Sequence, residues 1–82
     1  MADVTAIILT QNEEKNLGDC LRSVEKFAKR RVVVDSGSTD GTVALARSLG
    51  AEVLEHPFEN YARQFNWGVE NAHVQTKWIL RL

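Results

Sequence analysis

A single cysteine, Cys20, cannot form an internal disulfide, so nothing in this chain suggests a disulfide-stapled secreted scaffold. The formal net charge is only −1, which argues against a general polyanion-binding surface and against nucleic acid as a partner. No apolar run approaches the roughly 18 residues that span a bilayer, and the start Met-Ala-Asp-Val has no basic leader region. Membrane association is therefore not encoded in these residues, and the composition fits a cytoplasmic location, with the inner membrane face left open. His56 and His73 stand seventeen positions apart without acidic partners at metal-ligand spacing, so neither reads as a metal ligand. There is no internal repeat, linker or low-complexity segment. The one basic cluster, Lys29-Arg30-Arg31, reads as a solvated helix end whose cations face the C-terminal dipole.

Periodicity supplies the positive signal. Val4 to Thr10 is a nearly unbroken β-rich apolar run, as a parallel strand covered on both faces requires. After Asn12 the spacing turns helical: Leu17, Cys20, Leu21, Val24 and Phe27 or Ala28 recur at three- and four-residue steps. Val32-Val33-Val34 is a second buried strand ending at Asp35, and residues 42 to 49 read as a helix with Gly50 as its left-handed cap. Glu52 to Glu55 is a short third strand broken by His56-Pro57. Tyr61 to about Ala72 is a third helix, and Lys77 to Leu82 opens a fourth strand. The alternation predicts an α/β, Rossmann-like parallel sheet with right-handed crossovers. An 82-residue α/β unit buries little surface, and the last strand runs to the C-terminus without a cap. Residues 1–82 are therefore expected to be part of a longer domain.

In such sheets ligands bind at the carboxyl ends of the strands. The first loop there, Thr10-Gln11-Asn12-Glu13-Glu14, has no glycine, no lysine and two carboxylates. Backbone approach to a pyrophosphate needs glycines, and two acids repel phosphate, so a dinucleotide fingerprint or P-loop is excluded. Asn12 reads as a helix N-cap and Glu14 as a first-turn acid, whereas Gln11 and Glu13 are open to a base or ribose. The second loop, Asp35-Ser36-Gly37-Ser38-Thr39-Asp40-Gly41, is a tight polar turn. Ser38 or Thr39 is expected to cap the following helix, with Asp40 in its first turn. Asp35, at the last strand position, is expected to project into the ligand crevice. An acceptor-only carboxylate suits a base with an N–H on its pairing edge: uracil, thymine or guanine. A strand-end Asx turn is the structural alternative. Phe27, Phe58, Trp67 and Trp78 read as core or core-edge packing, while Tyr61 is open toward an acceptor.

Ile7 to Glu14 and Val33 to Thr42 resemble the two opening signatures of family 2 glycosyltransferases with the GT-A fold. The likeness continues through Ala51-Glu52-Val53, His56-Pro57-Phe58, Ala62 to Gly68 and Trp78-Ile79-Leu80. The chain departs from the pattern at Leu9 and Gln11, where many members have proline and tyrosine, and at Phe65, where arginine is common. The resemblance implies the N-terminal half of a GT-A fold, with Asp35 on the nucleotide base and Leu9, Gln11 and Glu13 lining the nucleoside pocket. Gln64 and Asn66 would lie on the donor side. It implies an inverting transfer from a UDP-sugar to a glycan or lipid-linked acceptor, in surface polysaccharide or lipopolysaccharide-type synthesis. It also implies Mg²⁺ or Mn²⁺ held by an Asp-x-Asp signature after the fourth strand, with the general base there too. No catalytic residue and no metal ligand is then expected within residues 1–82, so these residues alone should be inactive. They should also tend to self-associate through the apolar C-terminal strand. The alternatives are a nucleotidyltransferase or another Rossmann-like nucleotide binder, and a degenerate, non-catalytic binding domain.

Overall fold

The computed structural model describes residues 2–82. Seven elements alternate as expected: β1 (Ala2–Thr10), α1 (Glu14–Glu25), β2 (Ala28–Asp35), α2 (Thr42–Ser48), β3 (Glu52–Glu55), α3 (Tyr61–Asn71) and β4 (Trp78–Arg81). The strands form one sheet in the order β3-β2-β1-β4 with every pairing parallel, the architecture of an α/β Rossmann-like unit. Parallel neighbours need crossovers, and the three helices supply them.

The period of two along the central strands divides the core. Ala6, Ile8 and Val33 face α1 and α2, where Leu17, Leu21, Val24 and Ala46 meet them. Ile7, Val32 and Val34 face α3, against Ala72 with Phe65, Trp67 and Val69. Each fully buried Ile, Leu or Val contributes about 1.5–3 kcal/mol, so the two central strands carry most of the fold's hydrophobic stabilisation. On the α3 side the approach is tight. A Cβ at Gly68 would lie 2.6 Å from Val34 Cγ2, so only glycine lets α3 settle onto β2 here. Helix α2 ends as the Gly50 signal foretold. Gly50 has φ 81°, its N–H donates to Arg47 O at 3.1 Å, and Ala51 N–H donates to Ala46 O at 3.0 Å.

The basic cluster differs from expectation. Helix α1 stops at Glu25, and Ala28–Asp35 is strand, so Lys29, Arg30 and Arg31 begin β2 rather than end a helix. Strand alternation sends the two arginines to opposite faces. Arg30 donates to Ala72 O at 2.8 Å and His73 O at 3.3 Å, at the C-terminus of α3. Arg31 donates to Leu49 O at 2.7 Å, at the C-terminus of α2, and to Leu21 O at 3.4 Å. The cations do meet helix C-terminal carbonyls, but those of helices distant in sequence. Arg30 also bonds both carboxylate oxygens of Glu52 on β3, at 2.6 and 2.8 Å. That hydrogen bond holds the Glu52 carboxyl below its ordinary value and raises Arg30 above its own.

Three of the four aromatics read as packing residues lie at the surface instead. Phe27, Phe58 and Trp78 are exposed, Trp78 by 62%. Phe27 follows α1 in a turn, Phe58 follows Pro57 in an irregular loop, and Trp78 is on the edge strand β4. Trp67 alone packs, stacked on His56 with ring centroids 4.2 Å apart.

Candidate nucleotide-binding cleft

The βα loops meet at the carboxyl end of the sheet and are stitched together by side chains. Asn12 adopts the left-handed region (φ 53°), which Asn tolerates better than most residues. Its Oδ1 accepts from Thr39 N–H at 2.9 Å and from Asp40 N–H and Thr39 Oγ1 at 3.4 Å. In return, the Asn12 N–H donates to Ser38 Oγ at 2.8 Å, Glu13 N–H to Thr42 Oγ1 at 2.9 Å, and Glu14 N–H to Asp40 Oδ2 at 3.4 Å. Glu14 Oε1 accepts from Gly41 N–H at 2.9 Å, and Asp40 Oδ1 accepts from the N–H and hydroxyl of Thr42. The bonds from Thr42 hold the Asp40 carboxyl below its ordinary value.

This lattice replaces the expected caps. Glu13, not Asn12, precedes α1, and Gly41 precedes α2, neither with a side-chain cap of its own. Asp40 lies just outside α2, and Ser38 and Thr39 serve the cross-loop lattice. N–H groups that open α1 and α2 are thus satisfied by side-chain oxygens, which accounts for the acidic, glycine-poor first loop. Helix α3 is closed by Asn60, whose Oδ1 accepts from Arg63 N–H at 2.9 Å.

Asp35 takes the position that sequence predicts, but its side chain is engaged. Register pairs it with Thr10, and alternation points it to the face of Val33, toward the Ser36–Ser38 turn. Oδ1 accepts from Thr10 Oγ1 at 2.7 Å and Ser38 Oγ at 2.5 Å, and Oδ2 accepts from Ser38 N–H at 2.8 Å. The residue is 0% exposed. The carboxylate therefore makes the Asx-type turn that was its structural alternative, rather than standing open to the crevice.

The open space lies beside it. A cleft of about 190 Å³ is lined by Leu9, Thr10, Gln11, Glu13, Ser36, Phe58, Tyr61 and Gln64. Three of the residues implied for the nucleoside pocket, Leu9, Gln11 and Glu13, are brought together here, and Gln64 joins them. Gln64 is also buried, its Nε2 donating to His56 O at 3.1 Å and its Oε1 3.0 Å from His56 Nδ1, which braces the turn into α3. Asn66 is exposed and is not among the lining residues. The sequence reading missed Phe58, 46% exposed, which meets Tyr61 edge-on with ring centroids 5.1 Å apart. The polar run Glu59-Asn60 after Pro57 was the available signal that Phe58 sits in a loop. Thr10 and Ser36 were also missed, although both stand at the strand ends that carry the loops.

Among the described residues no three His, Cys, Asp or Glu side chains converge to hold a metal ion, so a divalent cation does not fit the groups present here. None of the described helices is long and apolar enough to cross a membrane.

The fold is shared with glucosyl-3-phosphoglycerate synthase from Mycobacterium tuberculosis, solved in complex with UDP. That structure aligns with a TM-score of 0.73 at 22% identity over 93% of this chain and 31% of the other. An "uncharacterized glycosyltransferase" of Rickettsia felis is 38% identical over 82 residues, the whole of this chain and 28% of that protein. The lipopolysaccharide core biosynthesis glycosyltransferase LpsC of Rhizobium meliloti is 40% identical over 74 residues, 84% of this chain and 27% of LpsC. The chain thus spans under a third of the length of these relatives. The family model for glycosyl transferase family 2 matches residues 5–82, nearly the full length, and the chain belongs to that family.

Proposed function

We propose that these residues form the nucleoside-binding part of an inverting glycosyltransferase that uses a UDP-sugar donor. The observation that carries the reading is the convergence of Leu9, Gln11 and Glu13 on one cleft at the carboxyl end of a parallel sheet, in a chain of this family. Binding of UDP, and of Mn²⁺ with UDP-glucose, by the mycobacterial synthase of the same fold supports a uridine nucleotide and a divalent cation. The likeness to LpsC supports a glycan acceptor of the lipopolysaccharide-core kind.

Asp35 supplies the base preference. Oδ1 already accepts two hydrogen bonds and Oδ2 one, so about one of the roughly four acceptor positions of a carboxylate remains. Uracil offers a single N3–H on its pairing edge. Guanine offers two donors side by side and would need both oxygens free. A base reaches the buried carboxylate only when the Ser36–Ser38 turn gives way, so binding should be accompanied by rearrangement of that turn.

In the transfer itself, the acceptor oxygen bonds to the anomeric carbon as the bond from that carbon to the diphosphate oxygen breaks. The hydroxyl proton passes to a general base, and UDP leaves with the bonding pair. The residues described here bind and orient the nucleoside end of the donor. The proposed location is cytoplasmic, at the inner membrane face where the acceptor is lipid-linked.

Calorimetric titration with UDP, CDP and GDP tests the reading. UDP should bind best, and Asp35→Asn should weaken UDP by about 1–3 kcal/mol through loss of a charged hydrogen bond. Unchanged UDP affinity in a folded Asp35→Asn protein would remove Asp35 from the pocket, and equal affinity for the three nucleotides would remove the base preference.

A further inference from the structure

The chain has six arginines, and five of them are committed. Arg22 pairs with Asp19, Arg30 with Glu52 and the end of α3, Arg47 with Glu55, and Arg63 with Glu59, while Arg31 grips the ends of α1 and α2. Arg81 differs. Among the described residues its guanidinium has no hydrogen-bond acceptor and no carboxylate partner, and the residue is exposed. It is nonetheless held in place, 6.0 Å from the ring centroid of Tyr61 and 5.8 Å from that of Phe65. Register explains the location. Arg81 pairs with Ile7, so it projects on the α3 face, two residues before Leu9 of the cleft wall. Tyr61, the ring beneath it, lines the same cleft.

No charged residue that lines the cleft itself is suited to an anion. At the starts of the three helices the N–H groups of Glu13, Glu14, Gly41 and Arg63 already bond to side-chain oxygens, so these donors are not free for a phosphate. The one charged residue lining the cleft is Glu13, an acid. A nucleoside diphosphate seated here would find in Arg81 a cation with unspent donors. A planar guanidinium laid on aromatic rings keeps its N–H edge free for phosphate oxygens.

From this geometry we infer that Arg81 is an anion-binding residue at the mouth of the cleft, and that it takes the diphosphate of the nucleotide donor. Tyr61 and Phe65 position it. The inference rests on the cleft being a nucleotide site, so its test separates the two. Uridine and UDP are titrated in EDTA into the wild-type protein, Arg81→Gln and Arg81→Lys. Wild-type protein should bind UDP more tightly than uridine. Arg81→Gln should lower UDP affinity about tenfold or more, leave uridine unchanged and flatten the salt dependence of UDP binding. Arg81→Lys should recover part of the loss, since charge is retained while the fork geometry is not. An unchanged UDP-to-uridine affinity ratio in Arg81→Gln overturns the role of Arg81 and leaves the nucleotide site standing. Failure of the wild-type protein to bind either ligand overturns both. Equal loss of uridine and UDP shows that Arg81 merely supports the cleft, and overturns its role as a diphosphate ligand.

Discussion

The two ends of the sheet solve one problem with opposite chemistry. At the amino end of the strands, α2 and α3 finish with unpaired carbonyls, and β2 supplies Arg30 and Arg31 to meet them. At the carboxyl end, α1 and α2 begin with unpaired N–H groups, and Ser38, Asp40, Thr42, Asn12 and Glu14 meet those. The amino end uses two long cations from neighbouring positions of one strand. The carboxyl end uses five short or acidic side chains from two loops and the helix starts that follow them, each meeting N–H groups of the other loop or helix. A long cation reaches across a strand end and seals it, whereas short oxygens tie the loops together without filling the space above β1. The carboxyl end can therefore be rigid and still keep a cleft between β1 and α3. The proposed nucleoside site occupies the end that is stitched.

If that contrast holds, Asn12 is the most costly rim position to alter. Asn12→Ala removes an oxygen that accepts from two backbone N–H groups and also forces alanine into the left-handed region. We expect a loss of about 3 kcal/mol, measured by urea denaturation. Asn12→Gly lacks the same oxygen without the steric penalty, and should be more stable than Asn12→Ala by about 1 kcal/mol. Equal stability of the two variants would show that the left-handed conformation at 12 is not required, and the stitched rim would lose its anchor.

Arg31→Leu probes the other end. It leaves Leu49 O and Leu21 O without their donor while keeping much of the apolar stem, so we expect about 1.5–2 kcal/mol of destabilisation. Uridine binding should be unaffected, because the change lies at the opposite end of the sheet. A drop in affinity at temperatures where the variant is folded would mean the ends are coupled rather than separate.

The smallest effect is expected from acid. Glu52 is held below its ordinary value of 4.5 by the hydrogen bond from Arg30. The stability from this pair is therefore fully present above that value and lost as pH falls through the lower folded value. Half of the Glu52 side chain is exposed, and solvent screening limits the contribution to less than about 1 kcal/mol. Comparing wild-type and Glu52→Gln stability at pH 7 and pH 3 measures it. The gap between the two proteins should close at the lower pH, and a constant gap would mean that the Glu52 charge contributes nothing.

Much of this molecule is legible without coordinates. Runs such as Ile7-Ile8 and Val32-Val33-Val34 must be covered on both faces, and helical spacing from Leu17 to Val24 supplies a cover, so the alternating parallel architecture follows from period alone. The same reasoning placed Gly50 at a helix end, because a left-handed cap is a local requirement. Leu9, Gln11 and Glu13 were placeable at the rim because chain order fixes which strand ends carry the loops. What sequence alone left undecided was how side chains distant in the chain would pair. Asn12 looked like a local cap until tertiary structure set it against Thr39 and Asp40, and Asp35 looked free until Thr10 and Ser38 closed on it. The basic cluster looked like a helix end until strand alternation divided it between two helices. Local periodicity decides which segments become strands and helices. Apart from the local Asp35–Ser38 turn, which donor finds which acceptor depends on packing between residues 18 to 42 positions apart, and only the folded arrangement determines it.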